Sequence, residues 1–238
     1  IRSYIPQLPK HRSTFVPFVF SKNEMESVFA AADALRAQRK MMNSMIFVMP
    51  ALIRLLYGTG LRIGEALALR NLDVNLTDNF IVVRDSKNGK QRMIPISESL
   101  SAVCREYVHH RNALPLLKSE EDCFFISLNG SSCSSDAVYR RFQDILKIAG
   151  IPFSGNHFGP RVHDLRHTFA VTSLAQMAES GIDMYSTLPI LSTFLGHQSL
   201  SATDTYVRLT AEMHPGLLKN IDMVCLNLFP EIKSYEPN

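Results

Sequence analysis

Apolar and polar positions alternate along this chain in two different rhythms, and the change between them divides it. Ser21-Lys22-Asn23-Glu24 spells a capping box, with the serine at the N-cap and a glutamate three residues on. A helix is predicted from there to about Arg39. The apolar run from Met41 to Tyr57 predicts a second, buried helix ending at Gly58 or Gly60, and a short third one runs from about Arg62 to Arg70. The rhythm then shortens. Phe80-Ile81-Val82-Val83 and Met93-Ile94-Pro95-Ile96 read as strands, joined across Ser86-Lys87-Asn88-Gly89-Lys90, where Asn-Gly supplies the two positive-φ positions of a tight hairpin. A further strand is expected near Leu72 to Asn75.

Helical spacing returns at about Glu98 to Asn112 and Ser135 to Ala149. After a loop from Ile151 to Pro160, it resumes from about Val162 to Glu179, closed by Gly181. Two shorter helices follow, near Leu188 to Leu195 and Ser201 to Leu209. Beyond them Met213, Leu217, Leu218, Ile221, Val224, Cys225 and Leu228 form an amphipathic stripe. The fold class is therefore mainly α with a small antiparallel β-sheet (α+β). Residues 1–20 hold Pro6, Pro9 and Pro17 without a sustained period and read as a linker or arm. Because the chain opens at Ile1, not Met, an excerpt of a longer protein is expected.

Composition narrows the class without naming a task. With 238 residues, 46% hydrophobic and 20% charged, the chain can bury a core, and wholesale disorder is excluded. Asn43, Ser44, Pro50 and Arg54 interrupt the longest apolar stretch, so no membrane span is predicted. The net charge of +3 is compatible with a polyanion but does not require one; basic residues gather in the first twenty positions and acidic ones after Ala211. No two of the four cysteines (Cys104, Cys123, Cys133, Cys225) have CxxC spacing, which predicts buried thiols in a reducing cytoplasm.

Several residues could carry chemistry. Arg62 stands at a helix start with Glu65 three residues on, a surface ion pair or the beginning of an anion site. Lys87 lies on the hairpin turn, either solvated or able to swing into a cleft; Lys90 and Arg92 share that hairpin and could touch phosphates. His163 and His167 have zinc-helix spacing within His163-Asp164-Leu165-Arg166-His167, but Arg166 puts a cation on nearly the same face and a third ligand is not evident. Leu195-Gly196-His197 ends a helix, and Tyr206 follows nine residues after the histidine. Arg62, Arg166, His163, His197, Lys87 and Tyr206 together make two arginines, two histidines, a lysine and a tyrosine. A phosphodiester can be cleaved by such a set if guanidinium groups neutralise the non-bridging oxygens. A phenol is only about 0.1% ionised at neutral pH, so as nucleophile it needs a cationic pocket and a base, and the leaving oxygen needs an acid.

The chain resembles the catalytic domain of the tyrosine recombinases, the phage integrase family. The resemblance rests on five blocks in the family's order: Gly58 to Glu65, the Ser86-to-Arg92 hairpin, His163 to Ala170, Leu195-Gly196-His197, and Thr203 to Tyr206. It implies that fold over residues 21–210, with 1–20 leading from an N-terminal core-binding domain and 211–238 a tail able to dock on a neighbouring protomer. It implies that Arg62 and Arg166 clamp the scissile phosphate, with Glu65 orienting Arg62. His163 would be general base or hydrogen-bonding partner, and Lys87 the general acid, with Lys90 as its competitor for that role. His197 would bond a non-bridging oxygen. Tyr206 would attack, giving a 3′-phosphotyrosyl link without metal, cofactor or ATP; His167 is left as structural. The implied function is site-specific recombination of double-stranded DNA, as a homo-oligomer (a tetramer for the full protein), in the bacterial or phage-encoded setting of the cytoplasm and nucleoid. Relaxation of DNA in the manner of a type IB topoisomerase, and DNA binding without catalysis, are the alternatives. Between Gly181 and His197 the chain is longer than the family's shortest version, and Met184 to Pro189 is expected as a loop insertion.

Overall fold

The structure is a computed structural model that describes residues 17–36, 45–84, 91–116, 119–153, 159–182, 184–197 and 201–214. Lys87, Lys90, the Asn88-Gly89 turn, residues 1–16 and the tail stripe beyond Met213 lie outside the described residues.

Helix α1 (Lys22–Asp33) opens on the predicted capping box, with the Ser21 amide donating to Glu24 Oε2 at 2.7 Å and the Glu24 amide to Ser21 Oγ at 3.3 Å. Met25, Val28 and Ala32 give it one buried face. Ahead of it, the four residues 17–20, read as part of an arm, include a core side chain. Phe20 is 3% exposed, and its amide donates to Thr168 Oγ1 at 3.0 Å.

Helix α2 (Met49–Thr59) starts later than the apolar run suggested. Pro50 is the reason: it lacks an amide hydrogen and suits the first helical turn, so Met45 to Val48 forms a turn and the helix begins beside the proline. It ends on Gly60, in the left-handed conformation (φ 60°). Helix α3 (Ile63–Leu67) is one short piece and does not reach Arg70. The chain is diverted there because the Arg70 amide is taken by Asp73 Oδ2 (3.0 Å), which starts a 3₁₀ turn at Asn71–Asp73.

Strands β1 (Val74–Asn75), β2 (Phe80–Val83) and β3 (Arg92–Pro95) form an antiparallel sheet in the order β1-β2-β3, with Ile81 opposite Ile94 and Val83 opposite Arg92. Ile81, Val83 and Ile94 point into the core and Met93 points out, the alternation expected of a sheet with one solvated face. Helices α4 (Glu98–Asn112) and α5 (Ser135–Ile148) are each capped by a serine, Ser97 and Ser134. With α1, α2 and the sheet they enclose the larger hydrophobic core, centred on residues such as Leu52, Leu55, Phe125 and Phe142.

Helices α6 (Asp164–Glu179), α7 (Met184–Leu195) and α8 (Ser201–Met213) close the fold. Met184 to Pro189, expected as a loop, is the first part of α7. Pro189 sits inside that helix at the cost of one backbone bond, and the stripe Leu188, Leu191 and Leu195 holds the segment helical by burying it. These leucines, with Ala170, Val171, Leu174 and Leu209, make a second, smaller cluster that also contains Tyr206. Cys104, Cys123 and Cys133 are free thiols; Cys225 lies outside the described residues. Among the described residues no helix is long and apolar enough to cross a membrane.

Candidate active site

The site forms where three chain reversals meet. Gly60, after α2, must be glycine on two counts. Its φ is +60°, and a Cβ there would stand 2.5 Å from Phe169 Cδ1 and 2.8 Å from Leu195 Cδ2. The turn sends Arg62 to the N-cap of α3 and leaves the Gly60 carbonyl facing α6. Gly196 ends α7 in a Schellman arrangement, with the Gly196 amide donating to Thr193 O (3.0 Å) and the His197 amide to Ser192 O (2.9 Å). The third reversal leads into α6, where His163 precedes Asp164 at the helix start.

Glu65 organises one side. It is 7% exposed, and its carboxylate accepts from the Arg62 amide (3.0 Å), Arg62 Nη1 (3.0 Å), Arg92 Nη2 (2.8 Å) and Arg92 Nη1 (3.1 Å). Burial alone would raise its pKa, but the hydrogen bonds and charges of Arg92 and Arg62 outweigh burial and hold it below the usual carboxylate range. Arg62 keeps nearly a third of its side chain exposed, and both terminal nitrogens approach the Gly196 carbonyl (3.4 and 3.3 Å). The expected pairing of Arg62 with Glu65 is present. Arg92 is engaged within the protein. Its side chain is 10% exposed, and its donors turn inward to Glu65 and to the Phe194 carbonyl (2.9 Å). The sequence offered Arg92 as a phosphate contact; here it fastens β3 to α3 and to the end of α7, because a buried carboxylate attracts the nearest guanidinium.

Arg166 solves the same burial problem without a carboxylate. It is 2% exposed, and its Nη1 and Nη2 donate to the carbonyls of Gly60 (2.7 Å) and Leu195 (2.8 Å). Both acceptors lie at helix C-termini, where the backbone dipole is negative and favours a cation. Burial, and then the neighbouring charge of Arg62, lowers its pKa to about 10, so it remains a cation at neutral pH.

Tyr206 lies over this cation on α8, 4% exposed. Its hydroxyl is 2.9 Å from His167 Nδ1, and its ring is stacked on that of His197 at 6.0 Å with 12° between planes. Burial raises the phenol's pKa; Arg166, mainly through its charge, and then Arg62 oppose the rise without cancelling it. His197 Nδ1 lies 2.8 Å from Thr203 Oγ1, a fully buried hydroxyl three residues before Tyr206 and hence on the same face of α8. Burial, then the charges of Arg166 and Arg62, lowers the pKa of His197 to about 4. His163 is exposed at one edge and meets His167 edge-to-face at 4.7 Å. Burial, then the charges of His167 and Arg166, lowers its pKa to about 4, with the Asp164 carboxylate opposing the fall.

The structure thus brings Arg62, Glu65, Arg166, His163, His197 and Tyr206 to one pocket, while Lys87 and Lys90 lie outside the described residues. Sequence reasoning passed over two residues. Thr203 was quoted in a motif without a role, and His167 was left as structural although its nitrogen meets the phenol. The i,i+3 spacing of Thr203 and Tyr206 was a usable signal for the first; the second depends on how α6 packs on α8. Among the described residues, no group of three or more His, Cys, Asp or Glu side chains could hold a metal ion.

Comparison with known proteins defines a class and then a family. The chain is 29% identical over 224 residues to the putative integrase/recombinase y4rB of Sinorhizobium fredii, covering 93% of the chain and 71% of that protein. It is 34% identical over 164 residues to the tyrosine recombinase XerA of Pyrococcus furiosus, covering 68% of the chain and 50% of that protein. Among solved structures, XerA recombinase superposes with a TM-score of 0.64 at 25% identity, covering 87% of this chain and 67% of that one. The XerH recombinase post-cleavage complex superposes at 0.65, with 22% identity and coverage of 87% and 54%. The fold is that of tyrosine recombinase catalytic domains. The family model for the phage integrase family matches residues 19–213, and the chain belongs to that family.

Proposed function

We propose that this chain is the catalytic part of a site-specific DNA recombinase that cuts and rejoins strands through a covalent bond between Tyr206 and a 3′-phosphate. The observation that carries the proposal is the position of Tyr206: its hydroxyl is held at 2.9 Å from His167, inside a pocket whose fixed charges are the guanidiniums of Arg166 and Arg62. A scissile phosphate entering there takes the place of solvent on Arg62, and its negative charge meets the cation of Arg166. Both arginines then neutralise the non-bridging oxygens, where charge builds in the transition state. His197, fixed through Thr203, donates a further hydrogen bond to them. Tyr206 gives its proton to a histidine of the pocket and attacks phosphorus, the P–O5′ bond breaks, and Lys87, between β2 and β3 in the sequence, protonates the departing oxygen. The phosphoester energy is retained in the protein–DNA link, so a second 5′-hydroxyl reverses the step without ATP. Glu65 and Arg92 hold Arg62 in position.

Duplex DNA as partner is supported by the XerH neighbour, which was solved bound to its palindromic difH substrate. Assembly as a tetramer on two duplexes is part of the proposal. The chain spans 71, 62 and 50% of the first three curated relatives it matches, so these activities are proposed for the whole protein.

A pool of nicked suicide duplexes with a randomised centre tests this reading. Wild type should give an SDS-resistant protein–DNA adduct, and Tyr206→Phe none. Two differently labelled duplexes carrying the selected site should then exchange strands. Relaxation of supercoiled DNA without exchange would make the enzyme a topoisomerase, and binding without any adduct would make it a non-catalytic relative.

A further inference from the structure

We propose that His167 is the proton acceptor for the Tyr206 phenol and that Asp164 is its positioning residue, so that Asp164, His167 and Tyr206 form a relay along one edge of the pocket. This rests on the function proposed above and assigns the base within it; the family resemblance left His163 as either base or hydrogen-bonding partner.

Three observations carry the assignment. Among the described residues, His167 Nδ1 is the histidine nitrogen at hydrogen-bonding distance from the Tyr206 hydroxyl, at 2.9 Å. The other two histidines of the pocket are placed differently: His197 Nδ1 faces Thr203, and His163 presents its ring to His167. On the far side of the imidazole, His167 Nε2 lies 3.9 Å from Asp164 Oδ1. That oxygen belongs to a carboxylate with no solvent exposure and has no hydrogen-bond partner, while its twin Oδ2 accepts from the Arg161 amide at 2.7 Å. A fully buried carboxylate oxygen without a donor is costly, and the nearby ring N–H of His167 is the donor that can satisfy it. At 3.9 Å the contact is too long for a hydrogen bond; such contacts in unliganded sites commonly shorten when substrate binds.

The geometry selects a tautomer. If Nε2 carries the hydrogen and faces Asp164, Nδ1 is a bare acceptor for the phenolic O–H, the logic by which a buried aspartate orients the histidine of a hydrolase triad. The groups facing His167 are Asp164, Arg161, Arg166, His163, His197 and Tyr206. Burial, followed by the charges of Arg161, Arg166 and His197, lowers its pKa to about 4, so at neutral pH the free protein holds it uncharged and able to accept. A bound phosphate anion offsets the arginine charges and raises the proton affinity of His167 where the proton must go. The step then balances. The Tyr206 oxygen bonds to phosphorus, its proton passes to His167 Nδ1, the P–O5′ bond breaks, and the 5′-oxygen takes a proton from the separate acid. Religation returns the His167 proton to the phenol.

Two measurements test the relay. The first needs no DNA: the ¹⁵N shifts of the His167 ring in the whole chain. A protonated Nε2 and a bare Nδ1 are expected, with the tautomer balance disturbed in Asp164→Asn. A protonated Nδ1 in wild type would overturn the proposal, whatever the protein does to DNA. The second uses the selected suicide duplex and a version with sulfur as the bridging 5′ atom, which leaves without an acid. His167→Gln should form adduct about 100-fold more slowly at pH 7 on both substrates. It should regain close to tenfold per pH unit towards pH 9 as the phenol ionises unaided. Recovery of His167→Gln on the sulfur substrate would assign the residue to the leaving group, and an unchanged rate with an unchanged pH profile would return it to a structural role; either result overturns the relay. No adduct from wild type would sink the proposed function and leave the ring tautomer to decide the relay.

Discussion

Arg92 is largely buried and Arg166 fully so, yet the two guanidiniums are held in opposite ways. Arg92 is matched by a carboxylate: Glu65 takes both of its terminal nitrogens, and the ion pair is complete before any ligand arrives. Arg166 donates to the carbonyls of Gly60 and Leu195, which hold the cation without cancelling its charge, and the Glu65 carboxylate acts on it through charge alone. The first arrangement fastens β3, α3 and the end of α7 together on the edge of the larger core. The second leaves a fixed positive charge beside Tyr206 in the smaller cluster. Paired charge builds the frame, and a cation without a paired carboxylate stands beside Tyr206. A buried cation without a paired counter-ion is expensive, which is why two helix C-termini converge on it.

The comparison breaks most sharply at Arg166. Arg166→Ala should lower adduct formation by at least about 10²–10³-fold and destabilise the fold by about 3 kcal/mol, because two buried carbonyls lose their donor. Arg166→Lys keeps the charge and should recover stability more than rate. Adduct kinetics together with urea denaturation separate the two effects.

Glu65→Gln tests the other side. Removing the carboxylate leaves two guanidiniums facing each other and should cost about 3 kcal/mol in urea melts. Cleavage should fall by no more than about 100-fold, through misplacement of Arg62. If cleavage vanished while stability stayed unchanged, Glu65 would belong to the reaction and the contrast drawn here would be wrong.

Gly196→Ala should cost about 1–2 kcal/mol, since φ is +66° and the new Cβ would stand 2.8 Å from Arg92 Nη1. Thermal melts should show this in full, and Arg92→Lys should relieve part of it.

A further effect, of similar size, is with pH. His167 and His197 titrate near 4 in the folded chain against an ordinary 6.5. Between those values the unfolded chain binds protons that the folded one refuses, so stability is complete above about pH 6.5 and is lost as pH falls towards 4. For His167, whose side chain is 13% exposed, the loss is on the order of 2 kcal/mol; for the more exposed His197 it is less. Melting temperatures from pH 7.5 to 4.5 should fall for wild type and fall less for His167→Gln.

What was legible in the sequence was local. The Ser21–Glu24 box, the span of α4 and the pairing of β2 with β3 follow from caps and alternation that a short window contains. The residues that the structure brings together around Tyr206 were legible too, because the arginines, histidines and tyrosine sit in ordered motifs. What was not legible was decided by distant packing or by proline. Pro50 delayed α2, Pro189 was carried inside α7 by a leucine stripe, and Arg92 turned inward because Glu65 waits there across the sheet edge. His167 was unreadable for the same reason, since its partner stands 39 residues away on another helix.

The most direct test of the central claim is to digest the trapped protein–DNA adduct and locate the nucleotide by mass spectrometry. The account predicts a single modified peptide with a 3′-phosphate on Tyr206 and a free 5′-hydroxyl on the released strand. A nucleotide on any other residue, or a cut strand with no protein attached, would contradict it.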